Sequence, residues 1–256
     1  MSGRLARDSP VNSKGDKNKG VSVNTSLSGI KAIFFDAGGT LIHLDSSSIR
    51  DLLSASLDIH ISLSRFPRAQ SLGMARVADL VAAGAGTTEQ LKREFYSTLL
   101  PEAGVSPERL NDAVECTFEL ARKEMLWRKT EVGTEAVLGE LTRRGYTLAI
   151  VSNSDGRIED AFEQAGLKSY FEFFIDSFIV GVEKPDPRIF HLATEQASVA
   201  PHQAVYVGDL FPVDVVGSRD AGLIPILYDP FELNQDVDCV SIRAIGELLE
   251  LLPAIR

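Results

Sequence analysis

Thiols and imidazoles are scarce in this chain. Its 256 residues include two cysteines, Cys116 and Cys239, and four histidines, at positions 43, 60, 191 and 202. The cysteines lack metal-ligand spacing and no pair of histidines has zinc-site spacing, so the pattern offers no zinc centre and no disulfide framework. Both thiols read as reduced and structural. Positive charge is short as well. The formal net charge is −10, whereas nucleic acids and anionic membranes select for basic surfaces, so neither is an expected partner. One electropositive pocket remains compatible with that total. No apolar run approaches the length of a membrane-crossing helix, the first residues hold no run long enough for a signal peptide, and there is no internal repeat.

What is present can bury a substantial core: 44% of the residues are hydrophobic, enough for one large domain or a domain with an insertion. Residues 1–29 are different in kind. They are rich in Ser, Gly, Asn and Lys and are expected to form a disordered tail. Their basic excess hints at an organellar leader, but Asp8, Asp16 and the missing amphipathic period argue against one. The expected location is the cytoplasm.

Lys31 to Phe35 reads as a buried strand. Ser46 to Arg128 then lacks strand-like alternation and reads as helices. SSSIRDLLSASL opens on serine caps, TTEQLKREFYSTLL has Thr88 three residues before Leu91, and SPERLNDAVECTFELARKEMLW has Ser106 before Pro107. Gly84 to Thr88 and Pro101 to Pro107 separate these helices. An all-helical insertion over 46–129 is therefore expected, within a core made of 30–45 and 130–256. From Glu131 the pattern alternates. Helices at Thr134 to Arg144, Asp155 to Ala165, Pro187 to Ala197, Asp214 to Ala221 and Ala244 to Leu252 separate strands at Tyr146 to Val151, Phe173 to Ile175, Val205 to Val207, Pro225 to Tyr228 and Val240 to Ile242. Such alternation predicts an α/β fold with a doubly wound parallel sheet, Rossmann-like in kind.

Chemistry concentrates where strands end. In IFFDAGGTL an apolar strand stops at Asp36, and Gly38-Gly39 let the chain turn sharply. The carboxylate then projects from the C-terminal edge of the sheet, where open α/β sheets place ligands and a nucleophilic aspartate would sit. Ser152 ends the strand in LAIVSNSDG, Lys184 lies in GVEKPDPRIF, and Asp209 and Asp214 lie in GDLFPVD. Singly, each has an ordinary role as strand end, solvated lysine, loop pair or helix N-cap. Their order along the chain is the stronger signal.

These four elements resemble, in order, the motifs of the haloacid dehalogenase-like hydrolase superfamily, over about Lys31 to Tyr228. The resemblance implies an aspartyl-phosphate formed on Asp36. It implies Mg²⁺ held by Asp36, the Gly38 main-chain carbonyl and Asp209, with Asp214 binding through water or orienting a ligand. Lys184 would neutralise the nucleophile and the transferring group, while Ser152 and the backbone N–H of Asn153 would hold phosphoryl oxygens. The implied partner is a small phosphorylated or otherwise activated metabolite, and the insertion corresponds to the family's helical cap.

One position departs from the family pattern. The family's phosphatases carry a second aspartate as general acid/base where this chain has Gly38, and losing such a group typically costs about 10²- to 10⁴-fold in rate. Haloacid dehalogenases also lack that aspartate but use no metal, and so need no acid pair like that of GDLFPVD. Phosphonoacetaldehyde hydrolases use a cap lysine that has no evident counterpart here. Dehalogenation and a catalytically weak phospho-ligand or partner-binding role are the alternatives. His43 falls on the flap that leads into the cap and is the candidate substitute proton carrier. Trp127, Arg128 and Lys129 lie at the returning hinge, where an aromatic packs between domains.

Overall fold

The computed structural model describes residues 27–255. The tail expected over 1–29 lies outside the described residues except for Leu27 to Gly29. Strands β1 (Ala32–Phe35) and β2 (His43–Leu44) precede helices α1 (Ser46–Leu57), α2 (Phe66–Ala82), α3 (Thr88–Ala103) and α4 (Leu110–Lys123). Next come β3 (Trp127–Lys129), α5 (Thr134–Arg143), β4 (Thr147–Ser152), α6 (Ile158–Gln164), β5 (Phe173–Asp176) and the single turn α7 (Ser177–Val180). The chain ends with α8 (Pro187–Gln196), β6 (Ala204–Gly208), α9 (Val216–Asp220), β7 (Ile224–Tyr228), β8 (Val240–Ile242) and α10 (Leu248–Leu251).

Six strands form one parallel sheet in the order β5-β4-β1-β6-β7-β8. This is the doubly wound sheet that the alternation predicts. Successive side chains face opposite layers. Ile33, Phe35, Ile150 and Val207 pack with Leu138 and Leu141 of α5, Phe162 of α6 and Leu248 of α10. Ala32, Phe34, Val151 and Tyr206 pack with Ile189, Phe190 and Ala193 of α8. A slip of one residue in register would exchange the two layers, so burial fixes the pairing.

The helices α1 to α4 bury a cluster of their own, built on Ile49, Leu53, Phe66, Phe95, Leu99, Val114 and Phe118. The sequence reading does not single out α2. Its buried positions are Phe66, Ala69, Gln70, Gly73 and Ala78, mostly small or polar, so its apolar stripe is faint. The caps also differ from expectation. Asp45, not a serine, caps α1 by accepting the Ser48 N–H at 3.3 Å, because an ionised carboxylate suits a helix N-terminus. Thr87, not Thr88, caps α3 in a reciprocal box with Gln90. Pro101 does not end α3. The helix runs on to Ala103, where the Gly104 N–H closes the last turn on the Leu100 and Pro101 carbonyls. A 3₁₀ turn at Pro107–Arg109 delays α4 to Leu110.

The two segments that join the helical insert to the sheet lie side by side. β2 pairs antiparallel with β3, setting His43 opposite Lys129 and Leu44 opposite Trp127. Strands this short have no alternation to read. Asp45, buried, ties the pair together: it accepts from Arg128 Nε at 3.1 Å and Nη2 at 3.0 Å, with Lys129 Nζ at 3.5 Å. Burial alone would raise its pKa, but Arg128, the Ser48 N–H and Lys129 together hold the carboxyl below its ordinary value. Trp127 packs against both the sheet cluster and the helical cluster. No helix among the described residues is long and apolar enough to cross a membrane.

The Asp45 cluster predicts a split between two variants. Asp45→Asn keeps an N-cap acceptor and drops the charge, whereas Asp45→Ala also removes the cap, at about 1 kcal/mol more. Urea unfolding of both variants checks this. Equal losses would show that the cap contributes nothing.

Candidate active site

β1 lies between β4 and β6, and parallel strands end on one edge, so Asp36, Ser152 and Asp209 meet at a single crevice. The Asp36 N–H donates to the Val207 carbonyl at 2.8 Å, which extends the register one residue past β1. Two glycines make the close approaches possible. Gly39 has φ of 95°, and a Cβ there would stand 2.4 Å from Asp209 Oδ2. A Cβ on Gly208 would stand 2.4 Å from Asp214 Cγ. Asp214 is turned inward by a π-helical turn over Phe211–Val215, where the sequence pattern predicts the start of an α-helix.

Lys184 sits at the centre, 3% exposed. Its ammonium donates to Asp36 Oδ1 at 2.6 Å, to Asp214 Oδ1 at 2.7 Å and to the Tyr206 hydroxyl at 2.7 Å. These three partners match its three hydrogens. Tyr206 passes its own hydrogen to the Val151 carbonyl at 2.8 Å. Asp214 is engaged on its other side as well, accepting the Leu210 N–H on Oδ2 at 2.9 Å. Ser152 Oγ donates to Asp36 Oδ1 at 3.4 Å. The Asn153 side chain clamps the Lys184 backbone: its Nδ2 donates to the carbonyl at 2.9 Å and its Oδ1 accepts the N–H at 2.7 Å. Thr40 Oγ1 donates to Asp209 Oδ1 at 3.3 Å.

Three carboxylates thus share the crevice with one ammonium, and two of them, Asp36 and Asp214, are bonded to it. Oxygens of Asp36, Asp209 and Asp214 lie within 4.8 Å of one another. Burial, with Lys184 opposing and Asp214 adding repulsion, raises the Asp36 pKa to about 6. Burial, then the charges of Asp36 and Asp214, push Asp209 well above its ordinary value. Burial would lower the Lys184 pKa, but Asp214 and Asp36 outweigh it and raise it to about 12. Surplus negative charge on hard oxygen donors suits a divalent cation such as Mg²⁺.

The structure brings Asp36, Ser152, Lys184, Asp209 and Asp214 together here, with Asn153 holding the Lys184 backbone, while Arg128 and Lys129 pair with Asp45 instead. Two participants were missed, Thr40 and Tyr206. The signal for Tyr206 is a phenol inside the apolar strand AVYVG, since a buried hydroxyl must find a partner. Gly38 meets an aromatic wall: a Cβ there would lie 3.2 Å from Trp127 Cζ3. His43 lines a cavity of about 210 Å³ beside Gly39.

Comparison with known proteins places the chain among relatives of one family. The family model for haloacid dehalogenase-like hydrolases matches residues 30–222. The chain is 43% identical over 132 residues to haloacid dehalogenase-like hydrolase domain-containing protein 3 of Bos taurus, a match covering 50% of this chain and 52% of that relative. It is 33% identical over 177 residues to a phosphoserine phosphatase of Thermus thermophilus, covering 69% of this chain and 68% of the other. The chain thus spans about half the length of the first relative. Among solved structures, the magnesium-bound HAD-hydrolase YfnB of Bacillus subtilis superposes with a TM-score of 0.64 at 19% identity. That match covers 87% of this chain and 98% of YfnB, and it speaks to the fold alone.

The charge cluster makes Lys184→Met destabilising by about 3–5 kcal/mol at pH 7.5, because it leaves buried carboxylates facing one another. The lysine's own stabilisation is fully present below 10.5 and lost only as pH rises through about 12. Any pH dependence between 5 and 7.5 therefore comes from the acids. The loss should shrink at pH 5, below the Asp36 pKa of about 6. Urea unfolding at both pH values measures it, and a pH-independent loss would mean the acids are not charged at pH 7.5.

Proposed function

The chain belongs to the haloacid dehalogenase-like hydrolase family, and from that premise we propose that it hydrolyses small phosphorylated metabolites through an aspartyl-phosphate on Asp36. The observation that carries this reading is the Asp36 carboxylate, held at 2.6 Å by a buried lysine beside two further acids. A phosphomonoester dianion repels a carboxylate, so positive charge must be in place before attack. Lys184 supplies one charge. Bound Mg²⁺ would supply two more and act as a Lewis acid on the phosphoryl oxygens. Asp36, Asp209 and the Gly38 carbonyl would hold it. Asp214, with both oxygens already engaged, positions Lys184 and the loop at Leu210.

The Asp36 carboxylate forms a bond to phosphorus as the ester oxygen leaves with its electron pair. Water then displaces the carboxylate and regenerates Asp36. Ser152, whose hydroxyl makes only a long bond to Asp36, turns to a phosphoryl oxygen, joined by the Asn153 backbone N–H. Residues 46–129 act as a cap over the core of 30–45 and 130–256. In support, Ser71, Ala75 and Asp79 of α2 line a small cavity together with Asp209. Both cysteines are free, which suits a reducing cytoplasm. A dehalogenase expels halide without cation or proton and has no use for Asp209 beside Asp36, so the acid cluster favours phosphoryl chemistry.

Without an acid at Gly38, rate should depend steeply on the leaving group. Aryl and acyl phosphates should be hydrolysed about 10²-fold or more faster than alkyl phosphates, and Asp36→Asn should abolish turnover on all of them. Gly38→Asp alone should gain little, because Trp127 crowds the new Cβ. Combined with Trp127→Leu, it should raise alkyl rates selectively. Initial rates with Mg²⁺ across the series decide the matter. Activity that survives Asp36→Asn would end the reading.

Metal binding has a readout independent of turnover. The folded Asp36 pKa of about 6 exceeds the ordinary 3.8, so ionising the cluster lowers stability as pH rises through that window. Mg²⁺ should therefore raise the melting temperature more at pH 7.5 than at pH 5. Asp209→Asn should stabilise the metal-free protein at pH 7.5 and remove most of the gain. Equal gains in both proteins would remove Asp209 from the metal site.

A further inference from the structure

The reaction as derived makes no use of the His43 ring. His43 Nε2 has no hydrogen-bond partner among the described residues. Gln70, itself 3% exposed, determines which ring nitrogen bears the proton. Its Oε1 accepts the Leu44 N–H at 2.9 Å, so its amide nitrogen, a donor only, faces His43 Nδ1 at 3.1 Å. Nδ1 must therefore accept, and the neutral ring carries its hydrogen on Nε2. An imidazolium would set two donors against each other at Nδ1. Burial also pushes the His43 pKa below its ordinary value, with Glu131 opposing.

Glu131 Oε1 stands 3.9 Å from Nε2, beyond hydrogen-bond reach, and accepts the Tyr228 hydroxyl at 2.8 Å. The ring lines the 210 Å³ cavity with Gly39, Phe66, Lys129, Glu131 and Phe231. Gly39 abuts Asp209, so this cavity adjoins the acid cluster. It has room for the organic part of a compact ester, with aromatic walls at Phe66 and Phe231 and the His43 ring held in place by Gln70. Lys129 and Glu131 are the charged groups that face it, Glu131 46% exposed and so able to yield its place to a substrate oxygen.

Resting on the phosphoryl-transfer reading, we propose that His43 contacts the substrate and donates its Nε2–H as a hydrogen bond to the ester oxygen that leaves phosphorus, with Gln70 as its positioning residue. The Asp36 oxygen bonds to phosphorus, the phosphorus–oxygen bond breaks, and its electron pair stays on the leaving oxygen as an anion held by Nε2–H. A neutral imidazole gives up no proton, so that anion takes one from water after it departs. The leaving groups that suit such a site are oxygen acids stable as anions, namely phenols, enols and carboxylates.

The test has two arms on the full chain. Nitrogen-15 NMR of the His43 ring should show the neutral Nε2–H form near pH 7. Gln70→Glu, which offers Nδ1 an acceptor, should move the proton to Nδ1 and raise the titration midpoint. A wild-type Nδ1–H tautomer would overturn the proposal with no reference to activity. In the second arm, His43→Ala should reduce kcat about 10²-fold on alkyl and weakly activated phosphates. It should change acetyl phosphate rates less than about threefold, steepening the leaving-group dependence. His43→Gln, which keeps an N–H donor, should recover part of the loss. Equal losses on every substrate would overturn the role of His43 and leave the parent reading standing. Absence of Asp36-dependent turnover in the wild type would overturn both.

Discussion

A single buried ammonium holds three parts of the chain together. Lys184 comes from the segment between α7 and α8, Asp36 from the end of β1, and Asp214 from the π-turn after β6. Removing an ammonium from water is expensive, and only paired, hydrogen-bonded charges repay it. Lys184 meets that condition with three short bonds, one of them to a phenol placed in mid-strand. The arrangement is satisfied around the nitrogen but overcharged around the oxygens. Asp36 is raised by burial and, against the opposing pull of Lys184, by Asp214, and Asp209 is raised by burial and then by Asp36 and Asp214. The sheet edge is therefore stable enough to persist and unbalanced enough to favour binding a cation.

Much of this was legible from the sequence because parallel strands announce their ends. The runs IFF, LAIV and VYV are apolar on both sides, so the first polar residue after each falls at the crevice. Other features were hidden because their partners are distant in the chain. The order of the motifs marks Lys184 as a site residue, but its complete burial and its bond to Tyr206 show only when distant parts of the chain close over it. Gln70 is a polar residue in a weakly amphipathic helix, and only the Leu44 N–H and the His43 ring reveal its purpose. Asp45 looks like a loop acid, and its double duty as helix cap and partner of Arg128 depends on a segment more than eighty positions away.

Gly38 and Trp127 are best understood as a pair. The glycine removes a side chain from the nucleophile loop and the indole presses into the space beside it. The same ring packs with Phe95 of α3, their centroids 5.9 Å apart. A side chain added at Gly38 would therefore meet the face of the indole.

The β2–β3 ribbon brings both crossings between helices and sheet to one place, and Asp45 staples them there. An attachment of this kind works like a door hung on a single post: the free edge can swing far while points near the post scarcely translate. Trp127 stands at the post, against Gly38. If the helices swing as the proposed cap, that swing would reach the Gly38 loop as a small twist of one indole ring, and the proposed nucleophile would sense the position of the lid without a separate messenger.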